Sequence, residues 1–179
     1  MPQIIDFEKS RLLLAVKRGF RNWTSRFHEH FDLETRLGDV SLRVLSFLAQ
    51  GKDRGTFYLY DLIMSLKNFG SGFEFNEMDP TKKMLIIDHY LFLLDRIRFE
   101  CMKRLSWLES YPGQDLTLVE LVVGFEKLDL SLQAKIPQLS EEHPAYGEFS
   151  ALIPYDRESF IRKMIPDLMN KIKGYSDSL

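Results

Sequence analysis

The longest unbroken stretch of regularly spaced apolar positions runs from Pro80 to Ser110. Placed at 100° intervals, these apolar residues fall on two sides of a helix, which is typical of a helix that neighbours pack from both sides. Asp79 can cap the first turn, and Pro112 and Gly113 supply a stop. The pattern predicts an all-α fold, namely a helical bundle of five or six helices organised around one long central helix at about 80–110.

Some polar positions of this central helix lie together on one stripe, which we expect to face water. The members of this stripe are His89, Arg96, Glu100 and Lys103. Asp88 and Asp95 lie elsewhere, two turns apart on one face and between the apolar zones.

A carboxylate among apolar neighbours must be ion-paired, be neutral or bind a cation. Asp88 and Asp95, together with His89, are therefore the candidate residues for a metal or small-ligand site. Two other interpretations stay open, because such carboxylates are often structural. The acids could form a second narrow solvent stripe, or they could pair with arginines of a neighbouring helix.

The remaining apolar patterns predict helices on both sides of the central one. A long first helix is predicted from Phe7 to Phe31, with a seam that begins at Leu13 and continues through aromatic residues at helical spacing. The other predicted helices are Asp32, as N-cap, to about Gln50; Thr56 to Phe69, whose first residues also suit a strand; Leu118 to about Ala134, after a capping box from Thr117 to Glu120; and a last helix from near Asp156 to Gly174, kinked or split at Pro166.

The chain of 179 residues fits one helical domain, 1–179, with an irregular acidic segment at about 136–156. The net charge of −2 gives no overall positive field for nucleic acid. A single cysteine excludes an intrachain disulfide and suits a cytoplasmic protein. The start, Met1 to Glu8, lacks the pattern of a secretory leader.

The first helix concentrates positive charge. Between Glu8 and Arg26 there are six basic residues and one acidic residue, a balance of +5. Such a helix can bind an acidic protein surface, nucleic acid or an anionic membrane, or it can be a solvated outer face. The acidic residues between Pro137 and Glu158 are one expected docking partner, within the chain or across a dimer. The candidate partner-binding residues of the helix are Arg11, Lys17, Arg18 and Arg21.

No motif in the chain names a reaction. The imidazoles of His28 and His30 would point about 200° apart on a helix, and zinc there would need a further ligand such as Asp32 or Glu34. Di-iron Glu-x-x-His pairs, the His-Glu-x-x-His zinc motif, phosphate-binding loops and the Gly-x-Ser-x-Gly elbow do not occur. Cys101 is expected to be an inert core residue. The sequence therefore assigns no catalytic residue and no cofactor.

The favoured interpretation is a non-enzymatic helical protein–protein interaction or scaffold protein, which binds a protein partner or itself as a homodimer. The alternative is a helical bundle, with or without enzymatic activity, that binds a metal or small ligand near Asp88 and Asp95. The second alternative is a regulator that binds nucleic acid or an anionic membrane through the basic first helix. The overall acidity disfavours nucleic acid, and no segment is expected to cross a membrane.

Overall fold

The computed structural model describes residues 6–133 and 135–179, and it does not describe the side chain of Gln133. Two predictions fall partly outside the described residues. They are the absence of a leader pattern at Met1 to Glu8, of which residues 1–5 are not described, and the end of a helix at about Ala134. The all-α class is confirmed. The helices are α1 (Phe7–Phe27), α2 (Leu42–Ala49), α3 (Asp53–Leu66), α4 (Pro80–Arg104), α5 (Leu118–Val123), α6 (Phe125–Gln133), α7 (Tyr146–Ala151), α8 (Pro154–Arg162) and α9 (Ile165–Ile172). Three short 3₁₀ segments cover Leu37–Asp39, Gly72–Glu77 and Lys173–Ser176, and the strands β1 (Leu108–Ser110) and β2 (Gln138–Leu139) form a small antiparallel sheet.

Helix α4 is the long central helix that the apolar pattern predicts. Its N-terminus is capped as expected, because the Asp79 side chain accepts a hydrogen bond from the Lys82 N–H at 3.0 Å. Helices α2, α3, α5 and α9 and strand β1 all pack against it. Apolar residues such as Ile86, Leu93 and Ile97 are consequently buried. Four helices and one strand thus pack directly on α4, whereas α1 packs on α3.

The end of α4 corrects the prediction, because the helix stops at Arg104 and not at Ser110. Ser106 adopts a left-handed conformation with a φ of 62°. The N–H groups of Ser106 and Trp107 then donate to carbonyls of the last turn, each at 2.9 Å. This closing motif usually contains glycine, so the residue types did not reveal it. The chain beyond the motif forms β1 and pairs with β2.

The predicted water-facing stripe of α4 is wrong at three of its four positions. His89, Arg96 and Glu100 are only 2%, 9% and 4% exposed. Helix α6 and the chain that follows β1 contact these three side chains. The polarity of the stripe was misleading because Arg96 and Glu100 find hydrogen-bond partners inside the protein.

Helix α1 packs on α3 through the predicted aromatic seam. Phe20, Trp23 and Phe27 are buried, and the Trp23 indole N–H donates to the carbonyl of Tyr58 at 2.8 Å. Edge-to-face ring contacts join these aromatic residues to one another. Leu13, which the pattern placed in the seam, is instead exposed. The buried positions of α1 therefore begin at about its third turn, and half-buried Leu12 packs against the core just before them.

Two predicted bounds near the end of α1 are corrected. The helix stops four residues before Phe31, because His28 turns the chain with a φ of 57°. Asp32 does not begin a helix, since its carboxylate accepts from the Glu34 N–H at 2.9 Å and closes a local turn. Helix α2 begins later, and Ser41 is its N-cap.

The other predicted elements are present, but additional breaks divide them, so the described residues contain nine α-helices instead of the predicted five or six. The helix predicted at 56–69 is α3, which begins three residues earlier, at Asp53, and ends at Leu66. The capping box at the start of α5 is formed. Gly124 separates α5 from α6, and Pro166 lies in the first turn of a separate α9. The acidic segment at 136–156 is more regular than expected, because it contains β2 and α7.

A buried polar group ties α4 to two connecting segments, and we call Glu100, Arg104 and Tyr111 the Glu100 cluster. Arg104 Nε donates to Glu100 Oε1 at 2.9 Å, and the Tyr111 hydroxyl donates to Glu100 Oε2 at 2.7 Å. Arg104 Nη2 lies 2.6 to 3.1 Å from three carbonyl oxygens between Leu37 and Val40. The cluster therefore links α4 to the connection between α1 and α2 and to the chain after β1.

Replacing Arg104 by methionine is expected to lower the free energy of unfolding by about 3–5 kcal/mol, because Glu100 would stay buried without its charged partner. Urea unfolding followed by circular dichroism measures this change. Arg54→Met, at an exposed position of α3, is the matched control, with an expected change of about 0.5 kcal/mol or less. Equal effects of the two substitutions would contradict the structural role of the cluster.

Candidate functional site

The side of α1 that faces away from α3 carries exposed basic residues. Gly19 allows the two helices to approach closely, since a Cβ at this position would lie 3.1 Å from the Leu62 side chain. On the opposite side, Arg11, Lys17 and Arg21 are exposed. None of the three forms an ion pair within the described part of the chain. Their charges are therefore open to a partner.

Arg18, the fourth predicted partner-binding residue, has a different role. Its Nη2 donates to the Ser65 carbonyl at 2.9 Å and to Asn68 Oδ1 at 2.8 Å. These acceptors lie at the end of α3, where backbone carbonyls lack partners within the helix. Arg18 thus caps the C-terminal end of α3 and links α1 to it by hydrogen bonds.

Large apolar side chains are exposed among the basic residues of α1. Phe7 is 79% exposed and Leu14 is 66% exposed. At 100° per residue, both fall within the same arc of roughly 120° as the three exposed cations. We call Phe7, Arg11, Leu14, Lys17 and Arg21 the α1 outer face. It combines arginine and apolar side chains, which is typical of protein-binding surfaces.

The acidic segment between Pro137 and Glu158 is also largely exposed. Its acidic residues outnumber its basic ones by four. Ile153 and Tyr155 are 62% and 88% exposed beside these acids. In the described residues, no ion pair joins this segment to α1. The segment thus presents acidic and apolar groups outward, as the α1 outer face presents basic and apolar groups.

The two aspartates of the candidate site on α4 have different surroundings. Asp88 is exposed. Asp95 accepts two hydrogen bonds from Arg162 of α8, at 3.0 and 2.8 Å, and Arg162 also donates to Glu158 at 3.0 Å. The bonds to Asp95 raise the pKa of Arg162. The interpretation of Asp95 as the ion-pair partner of an arginine on a neighbouring helix is therefore confirmed.

His89 lies inside the protein, on a different side of α4 from the aspartates. Its ring stands edge-on to Phe125 of α6, with 3.9 Å between the ring centres. Neither ring nitrogen has a hydrogen-bond partner among the described residues. Burial, with the nearby charge of Lys67, lowers the pKa of His89 to about 3. The imidazole is therefore neutral at physiological pH.

The described part of the chain contains no group of three or more His, Cys, Asp or Glu side chains arranged to hold a metal ion. Of the other histidine candidates, His30 is exposed and its Nε2 lies 3.0 Å from Asp32 Oδ2. Cys101 is fully buried, and burial raises the pKa of its thiol to about 12. The predicted core position of Cys101 is confirmed.

A cleft of about 550 Å³ opens beside Asp88 and Asp95, between α4, α6 and α8. Sequence reasoning identified the two aspartates but missed the cleft and Arg96, which also lines it. A signal that could have identified Arg96 is its position between Phe92 and Phe99, four residues before and three after it. Aromatic residues at this helical spacing can stack on a guanidinium.

Comparison with protein-family models, curated proteins and solved structures finds no match to this chain. Within the described residues, no helix combines the length and the apolar character that a membrane crossing requires.

Replacing His89 by methionine is expected to reduce the loss of stability in acid. A neutral buried histidine binds its proton only after unfolding. Its contribution to the free energy of unfolding is therefore complete above the ordinary histidine pKa near 6.5, and this contribution falls progressively as the pH is lowered toward about 3. Between about pH 7.5 and about pH 5, the wild type should lose about 2 kcal/mol more unfolding free energy than the variant. Urea unfolding at a series of pH values measures this difference.

The control for this experiment is His28→Asn, since His28 is exposed and asparagine tolerates its left-handed backbone. Its pH profile should follow that of the wild type. Parallel profiles for His89→Met and the wild type would show that His89 is not held neutral by burial.

Proposed function

We propose that this chain is a helical interaction protein that self-associates by docking the α1 outer face on the acidic segment of a second copy. The observation that carries the proposal is the exposure of Arg11, Lys17 and Arg21 without acidic partners in the described residues, on the same face as exposed Phe7 and Leu14. Water-exposed apolar residues flanked by unpaired cations favour a protein surface of opposite charge as the partner.

Complementary chemistry supports the acidic segment as this partner. The residues between Glu8 and Arg26 carry a balance of +5, whereas those between Pro137 and Glu158 carry −4. The acidic segment also offers Ile153 and Tyr155 as apolar contacts. A two-fold symmetric dimer would form this contact twice, since each copy supplies both surfaces. Opposite charges would accelerate and orient the encounter, and apolar contacts would stabilise the complex.

Sedimentation equilibrium of the full chain tests the proposal. The wild type should dimerise in a concentration-dependent manner, and added salt should weaken the dimer because it screens exposed charges. Lys17→Glu combined with Arg21→Glu should weaken association at least tenfold, about 1.4 kcal/mol. Glu141→Lys combined with Glu142→Lys should weaken it similarly. An equimolar mixture of the two double variants should recover dimers, because each copy then meets a surface of opposite charge.

The matched control is Lys163→Glu combined with Lys171→Glu, which changes the net charge equally at two exposed positions, one just after α8 and one in α9. This variant should dimerise like the wild type. A monomeric wild type, or double variants that do not rescue each other, would contradict the proposal. If the monomeric wild type instead binds anionic vesicles or duplex DNA, and the α1 double variant does not, the interpretation of α1 as a membrane- or nucleic-acid-binding helix replaces it.

A further inference from the structure

The cleft between α4, α6 and α8 contains a charged residue, Arg96, that is not part of the α1 outer face. Its volume of about 550 Å³ is within the usual range of small-molecule pockets. The side chains of Phe92, Phe99 and Phe125 provide apolar lining, and Arg96 lies among them. These three rings are themselves largely buried, and Leu91 adds an exposed apolar side chain to the lining. The cleft therefore combines apolar walls with one deeply buried cation.

The hydrogen bonds of Arg96 are incomplete although the residue is more than nine-tenths buried. Its Nη1 donates to the Pro112 carbonyl at 2.7 Å. The guanidinium carbon lies 4.8 and 5.4 Å from the ring centres of Phe92 and Phe99. The Nε is buried and has no partner among the described residues. A charged donor in this position favours an additional acceptor, since buried polar groups are normally hydrogen-bonded.

The positive charge of Arg96 also lacks an ion pair within the described part of the chain. Both oxygens of the adjacent Asp95 accept from Arg162, at 3.0 and 2.8 Å, and Glu158 accepts from Arg162 at 3.0 Å. Both carboxylates thus pair with Arg162 and not with Arg96. Burial lowers the pKa of Arg96, as is usual for a cation removed from water.

We infer that this cleft binds a small organic monocarboxylate with an apolar body, and that Arg96 recognises the carboxylate. A planar guanidinium matches the geometry of a carboxylate, and the phenylalanine rings match an aromatic or aliphatic body. Four acidic side chains line the same cleft, with Asp88 at an exposed position. Arg162, which pairs with Asp95 and Glu158, and Lys135 line the cleft too and offset part of this negative charge. The remaining acidic charge repels a phosphate dianion more than a single carboxylate, so the site selects the carboxylate.

Isothermal titration calorimetry of the full chain with 3-phenylpropionate tests this inference. One molecule should bind per chain, with a Kd of about 1 mM or lower. The uncharged analogue 3-phenylpropionamide should bind at least tenfold more weakly, and inorganic phosphate should bind more weakly than the carboxylate. A Kd above about 1 mM for 3-phenylpropionate, equal affinity for acid and amide, or tighter binding of phosphate would overturn the inference.

Two variants assign the recognition to Arg96. Arg96→Lys should weaken 3-phenylpropionate binding at least tenfold, because an ammonium group cannot present two parallel donors. Asp88→Asn should tighten binding about two- to threefold, because it removes a negative charge from the cleft at an exposed position. Asp167→Asn, an exposed carboxylate of α9, is the matched control and should leave the affinity unchanged.

The Asp88 variant keeps the test decisive if Arg96→Lys alters folding, because Asp88 is exposed and its substitution acts only through charge. Unchanged or weaker binding by Asp88→Asn would overturn the inference, as would wild-type affinity in a folded Arg96→Lys variant. The acidic segment contributes Pro137 and Glu158 to the cleft, whereas the α1 outer face contributes no residue to it. Titrating 3-phenylpropionate into the variant with Lys17→Glu and Arg21→Glu, in which self-association is weakened, therefore keeps the outcome independent of the proposed self-association.

Discussion

The carboxylate of Glu100 lies inside this helical protein, and its two oxygens accept from Arg104 and Tyr111 at 2.9 and 2.7 Å. Arg104 reaches from the same helix to the carbonyls between Leu37 and Val40, and Tyr111 follows β1. Two connections that carry no long helix are thereby held against α4. The buried charge is tolerated because its partners are all in place, and the loss of any one would leave the others unsatisfied.

The buried polar residues of α4 differ in role because their hydrogen bonds are satisfied to different degrees. Glu100 has complete hydrogen bonds and therefore supports the fold. His89 has none among the described residues, and burial keeps it neutral. Arg96 lies one turn before Glu100 but is satisfied only by a carbonyl and two aromatic rings. Ligand chemistry is thus expected at Arg96, whereas the exposed cations of α1 remain in water, where a protein partner can reach them.

Sequence patterns predicted the elements whose signals are local. The N-cap at Asp79, the capping box before α5 and the new helix at Pro166 all depend on residues within one turn. The closure at Ser106 was missed because a serine there takes the conformation that glycine usually supplies. The burial of Arg96 and the pairing of Asp95 with Arg162 were not predictable as specific contacts, because they depend on how distant helices meet. Periodicity places a residue on a helix face but does not say which segment covers that face.

Native-state hydrogen exchange of the backbone amides tests most directly whether α4 is the element that holds the protein together. We expect amides from Ile86 to Met102 to exchange only through global unfolding, with the free energy that urea unfolding gives. Amides in the first two turns of α1, whose side chains are mostly exposed, should exchange through local opening. Exchange of the α4 amides at a free energy well below the global value would contradict the central role of α4 and its buried cluster.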